Sequence, residues 1–278
     1  MKIIFYIKKI TNFIIRYLKN DPFLIIYYIP AVFKKDYLPY GKVFFFSKNS
    51  FIKQIEEGKS VIRLGDGEMA LLHGKGIGYQ KYDKKLKNKL IELIKKYNSK
   101  NSNYLLGIPE FVNLTNEELK KNPLKFSIWL HLKVEFQRRF NKNEFYFDAH
   151  YFYQKDLNIS FIENFILNNH IILISNISSI NKFKQSKKYS NFSFKSIDFI
   201  ETPSDNSFIF FDKIIYELDN LLELKYKKIN KKEIKLLFST GPTSKVLVYH
   251  YSNKNYISYD IGYGIRFLWD DKDISYKI

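Results

Sequence analysis

A chain of 278 residues that is 45% hydrophobic and 18% aromatic is long enough for one sizeable core and too apolar to remain disordered. It has no cysteine, which rules out disulfides, zinc–thiolate centres and thiol nucleophiles and fits a reducing compartment. The net charge of +18, from 46 basic and 28 acidic residues, attracts polyanions. Its lysines are spread along the chain without an RNA-binding motif or zinc finger, so a solvated basic surface is expected and no specific nucleic acid.

Residues 1–40 read as a basic helical extension and 41–278 as the main domain. The apolar run Met1–Lys19 carries Lys2, Lys8, Lys9, Arg16 and Lys19, and the run Phe23–Phe33 is interrupted by Pro30. Neither reaches the roughly 20 uninterrupted apolar residues of a membrane span, and neither is followed by a small-residue cleavage site. A basic amphipathic helix lying on an anionic inner membrane face is one reading. A helix packed on the domain, or a partner contact, is the other. The expected location is cytoplasmic, peripheral to the membrane at most.

Beyond the extension, short β-rich runs alternate with helical patterns. Ser60–Leu64 reads as a buried strand entering a Gly-rich loop. Leu86, Leu90, Leu93, Ile94 and Tyr97 recur at helical spacing, so Asp83–Tyr97 reads as an amphipathic helix. Tyr104–Ile108 is a strand ended by Pro109, and Thr115 with Glu118 has the form of a capping box. Pro123 opens a helix to about Phe140, and Glu144–Asp148 and Ile171–Ser175 are strands. Asn176–Phe194, rich in Ser, Asn and Lys, is expected to be a mobile loop. Lys195–Ile200 is a strand, Asn206–Leu224 a helix, Ile234–Ser239 a strand, Pro242–Tyr251 a helix and Tyr256–Asp260 a last strand. This alternation predicts an α/β domain: a Rossmann-like, mainly parallel sheet with helices on both faces and ligands at the carboxyl ends of its strands.

Three stretches at strand ends carry candidate chemistry. In Arg63-Leu64-Gly65-Asp66-Gly67-Glu68 the glycines permit a sharp turn and close approach of a ligand. Asp66 and Glu68, two apart, could present hard oxygen donors to Mg²⁺ or Mn²⁺, with Arg63 pairing to a phosphate. The same letters also suit a plain turn with Glu68 starting a helix. Ser239-Thr240-Gly241-Pro242-Thr243-Ser244-Lys245 opens a helix, and its exposed N–H groups could form an anion site. It is not a Walker A loop. Asp260-Ile261-Gly262 offers a carboxylate as ligand or base, or is a simple turn. The five histidines show no metal-site spacing; His73 and His150 could line a pocket, and core or surface roles suit all five. Ser175 lacks a nucleophile-elbow context.

The ordered set of motifs resembles the GT-D-fold glycosyltransferases, a former domain of unknown function in bacterial protein and surface-polysaccharide glycosylation. The Arg63–Glu68 stretch is similar to that family's signature with its Asp-x-Glu motif. Gly76-Ile77-Gly78-Tyr79-Gln80-Lys81-Tyr82-Asp83 resembles the segment after it. Pro203-Ser204-Asp205-Asn206-Ser207-Phe208 is similar to a Pro-x-x-Asn-Ala-Phe element, and Gly241-Pro242-Thr243 and Asp260-Ile261-Gly262 resemble the closing motifs. Where the family usually has histidine after Asp-Ile-Gly, this chain has Tyr263.

The resemblance, over about residues 45 to 265, implies a nucleotide-sugar donor, often a UDP-sugar, and a glycan or glycoprotein acceptor. It also implies a divalent cation, Mn²⁺ or Mg²⁺, on Asp66 and Glu68. Arg63, Gly65, Gly67, Thr240, Gly241 and Thr243 are then expected around the diphosphate, and Gln80 and Asn206 at nucleotide or sugar hydroxyls. Asp260, with Asp66, would be catalytic, Asp260 as base. A metal-dependent phosphoesterase using the same carboxylates, a basic nucleic-acid-binding module and a membrane-associated scaffold are the competing readings.

Overall fold

The computed structural model describes residues 24–270 apart from 39, 40, 122, 152, 153, 155, 156 and 158–160. The amphipathic helix expected over residues 1–19 lies outside the described residues.

Eight strands form the sheet: β1 (Phe44–Phe45), β2 (Ser60–Arg63), β3 (Tyr104–Ile108), β4 (Phe145–Asp148), β5 (His170–Asn176), β6 (Ser196–Thr202), β7 (Ile234–Ser239) and β8 (Ile257–Asp260). Their order is β1-β4-β3-β2-β8-β7-β5-β6, and every pairing is parallel. The helices are α1 (Leu24–Phe33), α2 (Lys48–Glu56), α3 (Asp66–Leu72), α4 (Lys84–Lys95), α5 (Asn116–Lys120), α6 (Pro123–Arg139), α7 (Ile177–Lys184), α8 (Lys187–Asn191), α9 (Phe211–Lys225) and α10 (Pro242–Asn253).

Successive strand residues face opposite sides, so each strand fills two cores. Ile62, Leu106, Ile172, Ile174, Leu236 and Phe238 meet α3, α4, α6, α9 and α10 on one face. Val61, Leu105, Ile171, Leu173, Leu237 and Tyr259 meet α2, the turn Ile162–Ile166 and the turn Gly262–Leu268 on the other. Burial on both faces explains why the strands read as near-continuous apolar runs.

The local signals act as expected. Asp83 caps α4, its Oδ1 accepting from the N–H groups of Lys85 at 2.7 Å and Leu86 at 3.0 Å. Leu86, Leu90, Leu93 and Ile94 are its buried stripe. Thr115 and Glu118 form the capping box of α5. One expectation fails: Asn176–Phe194 is not a loop. It holds α7 and α8, capped by Asn176 and Ser186, and it buries Ile180 and Phe183. Caps and an i, i+3 apolar pair outweigh its polar composition.

Strands β2 and β8 meet in the middle of the sheet, through Val61 and Tyr259. From β2 the chain builds outward through β3 and β4, while β5 and β6 lie at the far edge and β7 and β8 return inward. Open parallel sheets bind their ligands in a crevice at the carboxyl ends of such central strands.

Helix α1 is fastened to the domain. Tyr28, Ala31 and Tyr37 are buried against Leu119, Leu130 and Val134. The Asn116 side-chain amide donates to the Ala31 and Lys34 carbonyls at 2.6 and 2.7 Å. The buried Lys133 ammonium donates to the Tyr37 carbonyl at 2.9 Å. Burial pulls that lysine down to about 8.

Candidate active site

The carboxyl ends of β2, β8 and β7 lie side by side on one edge of the sheet. β2 runs through Gly65 directly into α3, and β7 runs through Thr240 and Gly241 into α10. The Arg63 backbone N–H donates to Asp260 Oδ2 at 3.2 Å, and its Nε to the Asp260 carbonyl at 2.9 Å. Lys245, on the first turns of α10, sets its Nζ 3.0 Å from Asp260 Oδ2 and 3.3 Å from Glu68 Oε1. The same ammonium donates to the Gly241 carbonyl at 3.3 Å.

All four of these side chains are buried: Arg63 6%, Glu68 5%, Lys245 6% and Asp260 0% exposed. Two cations and two anions balance, which is what makes their burial tolerable. Burial alone would lower the Lys245 ammonium, but Asp260 and then Glu68 outweigh it and hold the group above its ordinary value. Lys245 therefore stays charged and works as a fixed internal cation. Asp260 Oδ1 is buried without a hydrogen-bond partner.

Asp66 and Glu68 diverge. Asp66 is exposed at the start of α3, with Oδ1 accepting from the Gly67 N–H at 2.9 Å. Glu68 turns inward: Oε2 accepts from the Gly65 N–H at 2.7 Å as a helix cap, and Oε1 faces Lys245. The Asp-x-Glu pair thus presents one carboxylate outward and spends the other inside. No group of three or more His, Cys, Asp or Glu among the described residues is arranged to hold a metal ion. Both Glu68 oxygens already have partners, so a cation shared with Asp66 would compete with Lys245 for Oε1.

Two glycines are required where they stand. Gly241 has φ +59° and ψ −139°, and a Cβ there would lie 2.9 Å from Tyr79 Cε2. Gly262 has φ +44°, and a Cβ would lie 2.2 Å from Arg63 Nη2. Both conformations disfavour an L side chain. Tyr79 thus lies across the N-terminal end of α10, and its hydroxyl is 3.7 Å from where a Gly67 Cβ would be. The ring is half exposed.

Gln80 and Asn206 hold that tyrosine in place. The Asn206 N–H donates to the Tyr79 carbonyl at 2.8 Å, and its Oδ1 accepts from the Lys81 N–H at 2.7 Å. Asn206 has φ +52°, a conformation asparagine tolerates better than most residues. Gln80, buried, donates from Nε2 to the Lys81 carbonyl at 3.0 Å and accepts from the Phe208 N–H at 3.5 Å. These two side chains clasp the 76–82 loop to the 203–208 segment, which is the geometry the structure gives them.

Thr240 and Thr243 also face inward. Thr240 pairs with Ser244 through its N–H at 2.8 Å and its hydroxyl at 3.0 Å. Thr243 is fully buried, with Oγ1 unpartnered. The first turns of this 12-residue helix are buried from Pro242 onward, Gly241 alone being part-exposed, and a helix start carries the positive end of its dipole.

Lys245 is a residue the motif reading passed over. Its signal was present, a lysine three residues after a strand-end Gly-Pro, but only the fold brings the two carboxylates to it. A second group on the same edge is His150, after β4. Its Nδ1 lies 2.9 Å from Asp148 Oδ1, which also accepts the His150 N–H at 3.1 Å. The imidazole meets Phe111 and Trp129 edge-on, with centroids 5.3 and 6.2 Å away.

Comparison with known proteins identifies the family and the fold. A family described as "Glycosyltransferase GT-D fold" matches residues 61–269. A solved structure described as a new glycosyltransferase (DUF1792) from Streptococcus sanguinis superposes with a TM-score of 0.64 at 21% identity, over 80% of this chain and 81% of that one. Another, described as the highly conserved domain of unknown function 1792 with a distinct glycosyltransferase fold, gives 0.61 at 23% identity, over 80% and 78%. A probable glycosyl transferase Gly of Streptococcus gordonii is 52% identical over 40 residues, 14% of this chain. The match spans only 6% of that relative's length. With three quarters of its length inside the family match and the fold shared, the chain belongs to the GT-D-fold glycosyltransferases.

Proposed function

We propose that this glycosyltransferase takes its sugar from a nucleotide-sugar donor, a UDP-sugar by preference, and passes it to a glycan or glycoprotein acceptor. The observation that carries the reading is the meeting of three strand ends at one crevice, with the α10 N-terminus above the buried Arg63–Glu68–Lys245–Asp260 cluster.

The reaction replaces one bond to the anomeric carbon by another. The acceptor oxygen attacks that carbon, the bond to the diphosphate oxygen breaks, and the nucleoside diphosphate leaves with the electron pair. Its growing charge is what the site must stabilise. The backbone start of α10 supplies fixed dipoles, and the cluster beneath keeps that helix and β2 at a set separation. Tyr79 lies against this end of α10, where a bound donor would be shielded from water on one side.

Asp66 is the carboxylate exposed at this edge, so a divalent cation, Mn²⁺ or Mg²⁺, would be held by Asp66 together with donor phosphate oxygens. Such a cation would supply charge neutralisation. Glu68 and Asp260 act from below by fixing Lys245 and Arg63. Asp260 is walled off from solvent as it stands. For an inverting transfer we assign the acceptor's proton to His150, whose ring Asp148 orients as in other imidazole–carboxylate pairs. The basic extension supports a peripheral contact with an anionic membrane surface, where acceptors on lipid or protein would be presented.

The test is a thermal-shift and turnover screen of nucleotide sugars with and without Mn²⁺. Stabilisation by UDP and by one UDP-sugar supports the reading. Phosphate release from phosphoesters with no response to any nucleotide would replace it by the phosphoesterase reading.

A further inference from the structure

Helix α1 has two unlike faces. Tyr28 and Ala31 are 2% and 0% exposed, locked against α5 and α6. Ile26, Ile29 and Phe33, spaced i, i+3 and i+7, are 64%, 50% and 74% exposed. Large aliphatic and aromatic side chains in one helical stripe are a costly surface to leave in water.

The charge around the stripe is one-sided in sequence. Residues 1–36 contain Lys2, Lys8, Lys9, Arg16, Lys19, Lys34 and Lys35 against Asp21 and the exposed Asp36, a net positive balance. Lys34 and Lys35 are exposed and follow Phe33 directly. Apolar side chains on one side of a helix with lysines at its end are the pattern that seats a helix in the plane of an anionic bilayer. No helix among the described residues is long and apolar enough to cross one.

We propose that the Ile26–Ile29–Phe33 face of α1 is a membrane-docking surface for an anionic phospholipid bilayer, with Lys34 and Lys35 at the headgroups. This places the contact on a helix clamped to the catalytic domain. Tyr28 bonds His73 at 3.1 Å, and His73 follows the site helix α3. A bilayer held at α1 therefore sits at a fixed orientation to the crevice.

The test uses the full chain and vesicles of phosphatidylcholine with or without phosphatidylglycerol. The wild type is expected to co-sediment with the anionic vesicles only, and less so at high salt. The triple variant Ile26→Ser, Ile29→Ser, Phe33→Ser is expected to lose about tenfold or more of that binding, since each side chain inserts apolar area. Because the triple variant could disturb folding, Phe33→Trp gives a second reading: its emission should shift to the blue with anionic vesicles. An unshifted Phe33→Trp emission overturns the proposal. So does undiminished binding by a folded triple variant, which would leave the contact to residues 1–23. Loss of a dimer in the triple variant, with vesicle binding absent in wild type, would assign the face to a second copy instead. None of these outcomes depends on the glycosyltransferase reading.

Discussion

Lys245 is the residue on which the site's architecture turns. Replacing it by methionine keeps its length but leaves Glu68 and Asp260 facing one another, buried and without their shared cation. Stranding buried charges in this way costs about 3–5 kcal/mol. Denaturant unfolding of Lys245→Met should show that loss, and an unchanged midpoint would show that the cluster is not coupled to folding. Asp66→Asn is the contrasting change. That carboxylate is exposed and its Oδ1 bonds only the adjacent Gly67 N–H among the hydrogen bonds described, so its thermal melt should match wild type. Gly241→Ala tests the covering ring. A side chain in that backbone region costs of order 1–3 kcal/mol, and its Cβ would displace Tyr79. The expected outcome is weaker UDP binding in a folded protein, read by calorimetry.

At the scale of elements, α1, α3 and α6 meet at His73. Its Nε2 lies 3.1 Å from the Tyr28 hydroxyl, and its Nδ1 lies 3.1 Å from the Met69 carbonyl and 3.4 Å from Glu135. Burial pushes this imidazole down to about 4; Glu135 opposes the shift, and Arg138, Lys87 and Arg139 add to it. The folded state therefore binds fewer protons than the unfolded state between about pH 4 and pH 6.5. The contribution is intact above pH 6.5 and is lost as pH falls through the folded value, on the order of 3 kcal/mol in all. Melting profiles of wild type and His73→Gln should diverge across that window, the variant losing less on acidification. Parallel profiles would count against a buried neutral histidine. Deletion of residues 1–40 should also destabilise the domain, by about 3 kcal/mol or more, because Tyr28 and Tyr37 leave Leu119, Leu130 and Val134 uncovered. An unchanged melt would mean that α1 is only a passenger.

For the molecule as a whole, the strand–helix alternation was legible because the central strands are apolar on both faces and most helices carry a cap or an apolar stripe. The Arg63–Glu68, Gly241–Thr243 and Asp260 stretches were legible as strand ends, and parallel pairing puts strand ends on one edge. Side-chain direction was not. Residue spacing gives Asp66 and Glu68 no reason to diverge; the Gly65 N–H and Lys245, 177 positions beyond Glu68, draw the glutamate inward. Thr240, Gln80 and Asn206, expected around a ligand, also make hydrogen bonds within the chain, and Thr243 Oγ1 is buried without a partner. Polar side chains at strand ends serve either purpose, and only tertiary packing decides between them. The polar composition of the α7–α8 segment hides its helices, whose signal lies in the caps Asn176 and Ser186.

The proposed donor site lies where β2, β7 and β8 end. The most direct measurement is calorimetric titration of UDP, with and without Mn²⁺, into wild type and Asp66→Asn, paired with UDP-sugar turnover. We expect wild type to bind UDP with Mn²⁺ and Asp66→Asn to lose about tenfold or more in both binding and turnover while melting at the wild-type temperature. Equal binding and turnover by Asp66→Asn, or no binding of UDP by wild type, would contradict it.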